Sequence, residues 1–289
     1  TDTINIHIDK DALLRSGIML PKTIRHLKEE DLKDTIPDKL YIPLTDIRML
    51  TKVDLLMLEM LANCNWERPL YLAISVGSVS KLKFDNYFVQ EGLAFRFTPF
   101  DYKKWGDVGE NRLYAVDVER LYDNVMNRYK YGGLDTPGLY LDETTLRTCW
   151  YHRRLFAQLA KELIAQGDNE RAKKVLAYAE QVIPGYNVPE THESGSYDIA
   201  TAYAALGEKT KAVTLAVHLI AEAEDYINWA FSLKGNRIEM VRNDCIYKFW
   251  QWNQYNELLK KIDGEKYKES NRRFEEKYAL FAPTMNYKN

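Results

Sequence analysis

The chain has 289 residues, of which 46% are hydrophobic, so it is long enough to bury two hydrophobic cores of ordinary domain size. Its formal net charge of −2 excludes the strongly basic surface that is typical of nucleic-acid-binding proteins. No apolar run reaches the roughly 20 residues that cross a bilayer, and an odd number of cysteines, three, cannot form a complete disulfide framework.

The N-terminus predicts a piece of a longer protein. The chain begins at Thr1 rather than methionine, and its first residues lack the basic and apolar segments of a signal peptide. In the next few residues, isoleucines at 4, 6 and 8 alternate with polar side chains, which predicts a half-buried strand.

The following elements predict a βαβ unit. A second strand is expected at residues 40–44, an amphipathic helix at about 52–62 and a third strand at 69–75. Strand, helix and strand at this spacing place the two strands parallel, with the helix on one face of the sheet.

Further strands are predicted at residues 93–98 and 113–116, followed by a helix after Asp117. One face of that helix carries Val118, Leu121, Tyr122, Val125 and Tyr129. The glycine-rich and proline-containing stretch at 132–138 is the predicted domain boundary.

The remainder repeats a helical hairpin with tetratricopeptide offsets. Alanines at 160 and 172 stand where two helices would cross closely, and the same frame recurs 40 residues later at Ala200 and Ala212. The standard repeat has about 34 residues, and the excess lies in a predicted enlarged loop at 185–194. Generic antiparallel hairpin packing is the alternative, because it also selects small residues at crossings.

These patterns predict an α+β protein. Residues 1–134 are expected to form a small mixed α/β domain, and residues 135–289 a tetratricopeptide-like α-helical array. In tetratricopeptide units the first helix of each hairpin lines the groove. The repeat frame therefore predicts that the groove wall carries Arg154, Lys161, Tyr197 and Thr201. Their cations and hydroxyls could hold an extended peptide; an ordinary solvated helical face is the alternative.

Trp66 and Arg68 lie between the predicted helix and the third strand of the first domain. One interpretation uses them as an aromatic stacking platform and an anion clamp. The structural alternative, which we favour, packs Trp66 in the core and pairs Arg68 with a carboxylate.

Four motifs in order resemble the C-terminal region of a bacterial family of protein O-mannosyltransferases. They are NCNWERPLYLA from Asn63, EGLAFRFTP from Glu91, YGGLDTPGLYLDET from Tyr131 and YHRRLFAQLA from Tyr151. Members of that family are polytopic membrane proteins related to the GT-C glycosyltransferases, which use lipid-linked sugars. The resemblance implies a periplasmic accessory region that is tethered to the inner membrane in the full-length protein.

The resemblance assigns no catalytic residue to this chain, because the acidic residue on which GT-C enzymes depend lies in the membrane portion. The sequence itself predicts no cofactor or metal, because the cysteines match no zinc spacing and no phosphate-binding glycine loop occurs. The expected partners are an acceptor protein or peptide and the membrane portion of the parent chain, with carbohydrate as a further candidate and nucleic acid excluded. Tyr131 departs from the family, which more often has tryptophan before the two glycines, and it is a candidate ligand contact.

Two other functions stay open from the sequence. The first is a freestanding helical-repeat adaptor. The second is a carbohydrate-active enzyme, because 20 tyrosines, six tryptophans and many carboxylates could stack on and hydrolyse sugars.

Overall fold

The computed structural model describes residues 3–45, 47–76, 82, 84–109, 114–233 and 237–285. The chain divides into two compact units, Thr1–Arg128 and Tyr129–Asn289. All strands of the described residues belong to the first unit, and the second is built from helices, which confirms the α+β class. The division into domains at residue 134 stays a prediction.

The first unit combines short strands with short helices. In chain order these are β1 (Thr3–His7), α1 (Lys10–Arg15), α2 (Glu29–Thr35), β2 (Lys39–Pro43), α3 (Lys52–Asn63), β3 (Tyr71–Ala73), β4 (Phe88–Gln90), β5 (Ala94–Phe97), β6 (Ala115–Val116) and α4 (Val118–Asp123). The sequence patterns predicted most of these, but α1, α2 and β4 were not predicted. Part of the strand predicted at 113–116 lies outside the described residues.

The predicted βαβ unit is wrong. β1 and β2 form an antiparallel pair with Ile6 opposite Leu40, whereas β3 belongs to a second sheet of order β3-β5-β4-β6. β3 is antiparallel to β5, and the parallel pair of that sheet is β4 with β6. The helix α3 is followed by a turn in which Asn65 and Trp66 have positive φ angles of 46° and 61°. β2 is hydrogen-bonded to β1, and β3 finds its partner in β5, so the two strands do not meet.

Trp66 closes this turn against the core of the first unit. Its indole Nε1 donates to the carbonyl of His7 at 2.8 Å, and its ring stacks on Phe97 with centroids 6.4 Å apart. Phe97 also contacts the rings of Phe84 and Tyr87. The three-residue turn before Phe88 is a 3₁₀ turn, Asp85–Tyr87. An aromatic cluster therefore holds the second sheet to the end of α3.

β5 confirms the strand predicted at residues 93–98. In the sequence, Phe95 and Phe97 alternate with Arg96 and Thr98, which predicts one apolar and one polar face, but Arg96 and Thr98 are both buried. The sheet is covered on this side, so a charged side chain must find partners inside the protein.

The helix predicted after Asp117 begins as expected, since the Asp117 side chain accepts from the backbone N–H of Arg120 at 3.1 Å. It changes at residue 124 into a π-helical segment, Asn124–Arg128. The predicted continuous face therefore ends one turn early.

The second unit is a succession of helical hairpins. Its elements are α5 (Glu143–Ala165), α6 (Asn169–Val182), α7 (Ser196–Ala205), α8 (Lys209–Ser232), α9 (Arg237–Met240), α10 (Arg242–Ile262) and α11 (Gly264–Met285). α5 packs on α6 and α7, α7 on α8, α8 on α10, and α10 on α11. No strand occurs beyond residue 139 in the part of the chain that the structure describes.

The residues that defined the repeat frame are buried between these helices. Ala160 and Ala172 are fully buried, as are their counterparts Ala200 and Ala212. Gly167 follows the end of α5 and has φ of +80°. The side chain of Asp168 then caps α6 by accepting from the backbone N–H of Arg171. The alanines of the frame are thus buried in helices that pack on one another, while the tetratricopeptide assignment stays a prediction.

Candidate functional site

An aromatic patch on the helical unit is formed by His192, Tyr197, Tyr247, Trp250 and Tyr255. The His192 ring stacks on Tyr197 with centroids 5.8 Å apart, and Tyr247 stacks on Trp250 at 5.6 Å with planes 13° apart. The rings of the patch pack against one another, and Tyr247 and Trp250 are nevertheless 45% and 48% exposed. The two α10 side chains therefore offer a preformed aromatic surface to solvent.

Helical spacing explains how α10 contributes to this patch. Tyr247 and Trp250 are three residues apart and project from one face, whereas Tyr255 is fully buried. Tyr197 comes from the first turn of α7, and its hydroxyl reaches the backbone carbonyl of Gln254 at 3.4 Å. The patch thus joins the first helices of two successive hairpins, α7 and α10.

Arg153 fixes the long loop that carries His192 into the patch. Its Nη1 donates to the carbonyl of Pro189 at 2.8 Å and to Ser194 Oγ at 3.1 Å, and its Nη2 donates to the carbonyls of Ile183 and Val188 at 3.0 and 2.6 Å. Burial lowers the pKa of Arg153 to about 10, which leaves the guanidinium charged at neutral pH. The predicted enlarged loop is therefore confirmed, and a buried cation holds its backbone in one conformation.

Charged side chains lie at the edge of the patch. Glu193 Oε1 accepts from Gln251 Nε2 at 3.1 Å, and Lys248 Nζ lies 3.0 Å from Glu222. Burial lowers the pKa of His192, so the imidazole is neutral at pH 7. An apolar ring surface with a charged rim can stack on a flat ligand group while polar groups orient it.

The structure brings some of the predicted groove residues to this patch. Tyr197 belongs to it, and Arg154 lies beside it because its Nε donates to the carbonyl of Glu193 at 2.6 Å. Thr201 is exposed one turn after Tyr197, and its hydroxyl donates to the Tyr197 carbonyl at 3.0 Å. Lys161 is exposed on α5, two turns beyond Arg154.

The other predicted site residues lie elsewhere. Trp66 is only 6% exposed and packs as described above, which favours the structural alternative for it, while Arg68 is exposed. Tyr131 is half-buried, with ring contacts to His152, Phe156 and Tyr178.

Sequence reasoning missed the α10 aromatics and the role of Arg153. The available signal was the density of rings between residues 247 and 255, where four aromatic side chains besides Tyr255 occur within six positions, Tyr247, Phe249, Trp250 and Trp252. Two of these four are exposed and two are buried, which only the packing of α10 decides. Among the described residues, no group of three histidine, cysteine or acidic side chains could hold a metal ion.

Comparison with known proteins links the first part of the chain to a membrane protein family. Residues 1–119 match a family model described as TMEM260-associated domain 2. The search of curated proteins found no match, and neither did the search of solved structures. Over the described ranges, every helix is too short or too polar to cross a membrane.

Proposed function

We propose that this chain is a non-catalytic, periplasmic accessory region of a membrane-embedded glycosyltransferase that uses lipid-linked sugars and resembles the protein O-mannosyltransferases. Two observations support this. Residues 1–119 match a domain associated with a membrane protein family, and four motifs resemble the O-mannosyltransferase family in the same order. In this proposal the helical unit, with tetratricopeptide-like hairpins, holds an acceptor protein segment near the catalyst.

The observation that carries the binding role is the exposed pair Tyr247 and Trp250 beside Tyr197. Rigid aromatic side chains bury much area at little cost in conformational entropy, and together with arginine they dominate binding energy at protein interfaces. Arg154 supplies such a cation at the patch, where two of its guanidinium nitrogens donate to the Glu193 carbonyl and its remaining N–H groups can meet a peptide carbonyl. An extended peptide would therefore lie across α7 and α10 with side chains on the rings.

Peptide binding tests this role. Peptides from candidate acceptor proteins are titrated by calorimetry into the wild-type chain and into Trp250→Ala. We expect at least a tenfold loss of affinity, about 1.4 kcal/mol, from removal of this ring. Trp229→Ala is the matched control, because Trp229 is 49% exposed on α8 outside the patch.

A double variant, Arg154→Ala with Lys161→Ala, tests the cations of the predicted groove separately. If a peptide binds wild type, this double variant and Trp250→Ala with equal affinity, neither the patch nor the predicted groove is its binding surface. Loss of binding in Trp229→Ala alone would move the binding surface to α8.

The two other candidate functions, a freestanding adaptor and a carbohydrate-active enzyme, lead to different expectations. A freestanding adaptor requires that no membrane-spanning segment is encoded upstream of Thr1 in the complete gene, which sequencing decides. A carbohydrate-active enzyme requires turnover, and we expect purified chain neither to transfer sugar from a lipid-linked donor nor to hydrolyse nitrophenyl glycosides. Turnover above a heat-inactivated control would contradict the accessory role.

A further inference from the structure

A polar cavity of about 440 Å³ lies in the first unit, apart from the aromatic patch. The described residues that line it are Tyr71, Glu91, Arg120, Asp123, Asn124 and Arg128. Its volume falls within the roughly 300–1,000 Å³ of small-molecule sites. Its lining combines two carboxylates, two guanidinium groups, one amide and one phenol.

Glu91 is the buried anion of this cavity. Its Oε2 accepts from the Tyr71 hydroxyl at 2.8 Å, and its Oε1 lies 3.1 Å from Arg120 Nη1 and 3.6 Å from Arg96 Nη1. The Asn124 amide donates to the Glu91 backbone carbonyl at 2.7 Å. A carboxylate that is only 6% exposed needs such partners, because an unpaired buried charge is strongly unfavourable.

The cations behind Glu91 are themselves held by backbone carbonyls. Arg96 Nη2 donates to the Ser16 carbonyl at 3.0 Å and to its hydroxyl at 2.8 Å, and Arg120 Nη2 donates to the Gly17 carbonyl. Gly17 has φ of +63°, and a Cβ there would lie 2.9 Å from Arg120 Nη2. The turn after α1 therefore fixes both guanidinium groups before any ligand arrives.

The end of α4 and the π-helical segment supply the other lining residues of the cavity. Arg128 Nε lies 2.6 Å from Asp123 Oδ2, and this pair is more exposed than Glu91. π-Helical turns are rare and are frequent at functional sites, because they displace side chains from their α-helical positions. Here the turn places Asn124 and Arg128 with Asp123 on one cavity.

The charges of the lining decide the class of ligand. Glu91 and Asp123 balance Arg120 and Arg128, so the cavity has no excess charge to attract an anion or a cation. Vicinal hydroxyl groups can donate to a carboxylate and accept from a guanidinium at the same time. The half-exposed ring of Tyr71 adds an apolar face of the kind that packs on C–H groups.

We propose that this cavity binds a neutral polyhydroxylated ligand of the size of one sugar ring, with its hydroxyls bridging the carboxylates and guanidinium groups and its apolar face on Tyr71. The site is independent of the proposed peptide-binding role, because all its residues belong to the first unit and none to the aromatic patch.

The test is a titration of the whole chain with methyl α-D-glucopyranoside, methyl α-D-mannopyranoside and methyl β-D-galactopyranoside, observed by NMR. We expect at least one glycoside to bind, with saturable shifts at the signals of Tyr71, Asn124 and Arg128. Tyr71→Ala and Arg128→Gln should each weaken that binding at least tenfold. Both side chains are partly exposed, and Glu91 keeps Arg96 and Arg120 as partners in either variant, so we expect the fold to be retained, which the same spectra check.

Arg272→Gln is the matched control, because Arg272 forms a comparable exposed pair with Glu276 on α11 at 2.8 Å. Inorganic phosphate is titrated in parallel. Saturable phosphate binding without glycoside binding would show an anion site and overturn the proposal. Absence of shifts at the cavity signals with every glycoside, or equal glycoside affinity in the cavity variants and the Arg272 control, would overturn it too. None of these outcomes bears on peptide binding at Trp250.

Discussion

The Nδ1 atom of His192 lies 2.9 Å from the hydroxyl oxygen of Tyr255, and this hydrogen bond joins the long loop between α6 and α7 to α10. Burial lowers the pKa of His192 and raises the pKa of Tyr255, so both groups are neutral near pH 7. Their hydrogen bond therefore contains one proton, which is donated either by the imidazole Nδ1–H or by the tyrosine hydroxyl.

The first prediction concerns pH. His192 and His152 both have pKa values that burial lowers from the ordinary value of 6.5, so below that pH the unfolded chain binds protons that the native chain does not. The free energy of unfolding should therefore fall as pH decreases from about 7 to about 5. Urea unfolding at a series of pH values measures this slope.

The double variant His152→Gln with His192→Gln should flatten that slope, whereas His218→Gln on the exposed face of α8 should keep it. Carboxylates such as Asp142 and Asp168, whose pKa values are lowered from 3.8, lose their contribution only at lower pH. Burial raises the pKa of Asp117, but this residue is the same in wild type and in the double variant, so the difference between their slopes reports the histidines. An unchanged slope in the double variant would contradict the assignment to these histidines.

Arg153→Lys should loosen the loop although the charge is kept. A lysine has one ammonium group and cannot reproduce the fork that reaches three carbonyls and Ser194. We expect faster amide hydrogen exchange between residues 184 and 195 and a loss of about 2–4 kcal/mol from the free energy of unfolding. Arg147→Lys, at an exposed position on the same helix where the guanidinium pairs with Glu143, should leave both quantities near wild type.

Ala160→Leu and Ala172→Leu should overpack the crossing of α5 and α6. Both alanines are fully buried, so each larger side chain should reduce the free energy of unfolding by about 1–3 kcal/mol. Ala177→Leu, on the exposed side of α6, is the matched control and should be close to neutral. Wild-type stability in both buried variants would mean that the helices separate at no cost.

Trp66→Phe should keep a ring against Phe97 but remove the donor to the His7 carbonyl. Loss of that 2.8 Å hydrogen bond and of part of the ring volume should cost about 1–3 kcal/mol. Thermal unfolding measures the change, and Trp229→Phe at an exposed position is expected to change the midpoint little. Equal midpoints for the two variants would show that the turn after α3 does not depend on Trp66.

The sequence by itself determined the local elements wherever buried residues recur with the period of a helix or of a strand. The alternating isoleucines of β1, the helix at residues 52–62 and the alanines of the α5–α6 hairpin were all predictable, because each pattern reports which side of one segment faces a core. Gly167 and Asp168 marked a helix boundary for a similarly local reason, since left-handed backbone and capping depend on adjacent residues.

Only the tertiary structure decided which elements meet. β2 and β3 have strand patterns on either side of a helix, yet they belong to different sheets, because β2 pairs with β1 and β3 pairs with β5. Glu91 and Arg120 are 29 residues apart and His192 and Tyr255 are 63 apart, and no local period links them. From the sequence alone, a charged or aromatic side chain that is solvated cannot be distinguished from one that is buried or part of a site. Its partners come from segments that only folding brings together.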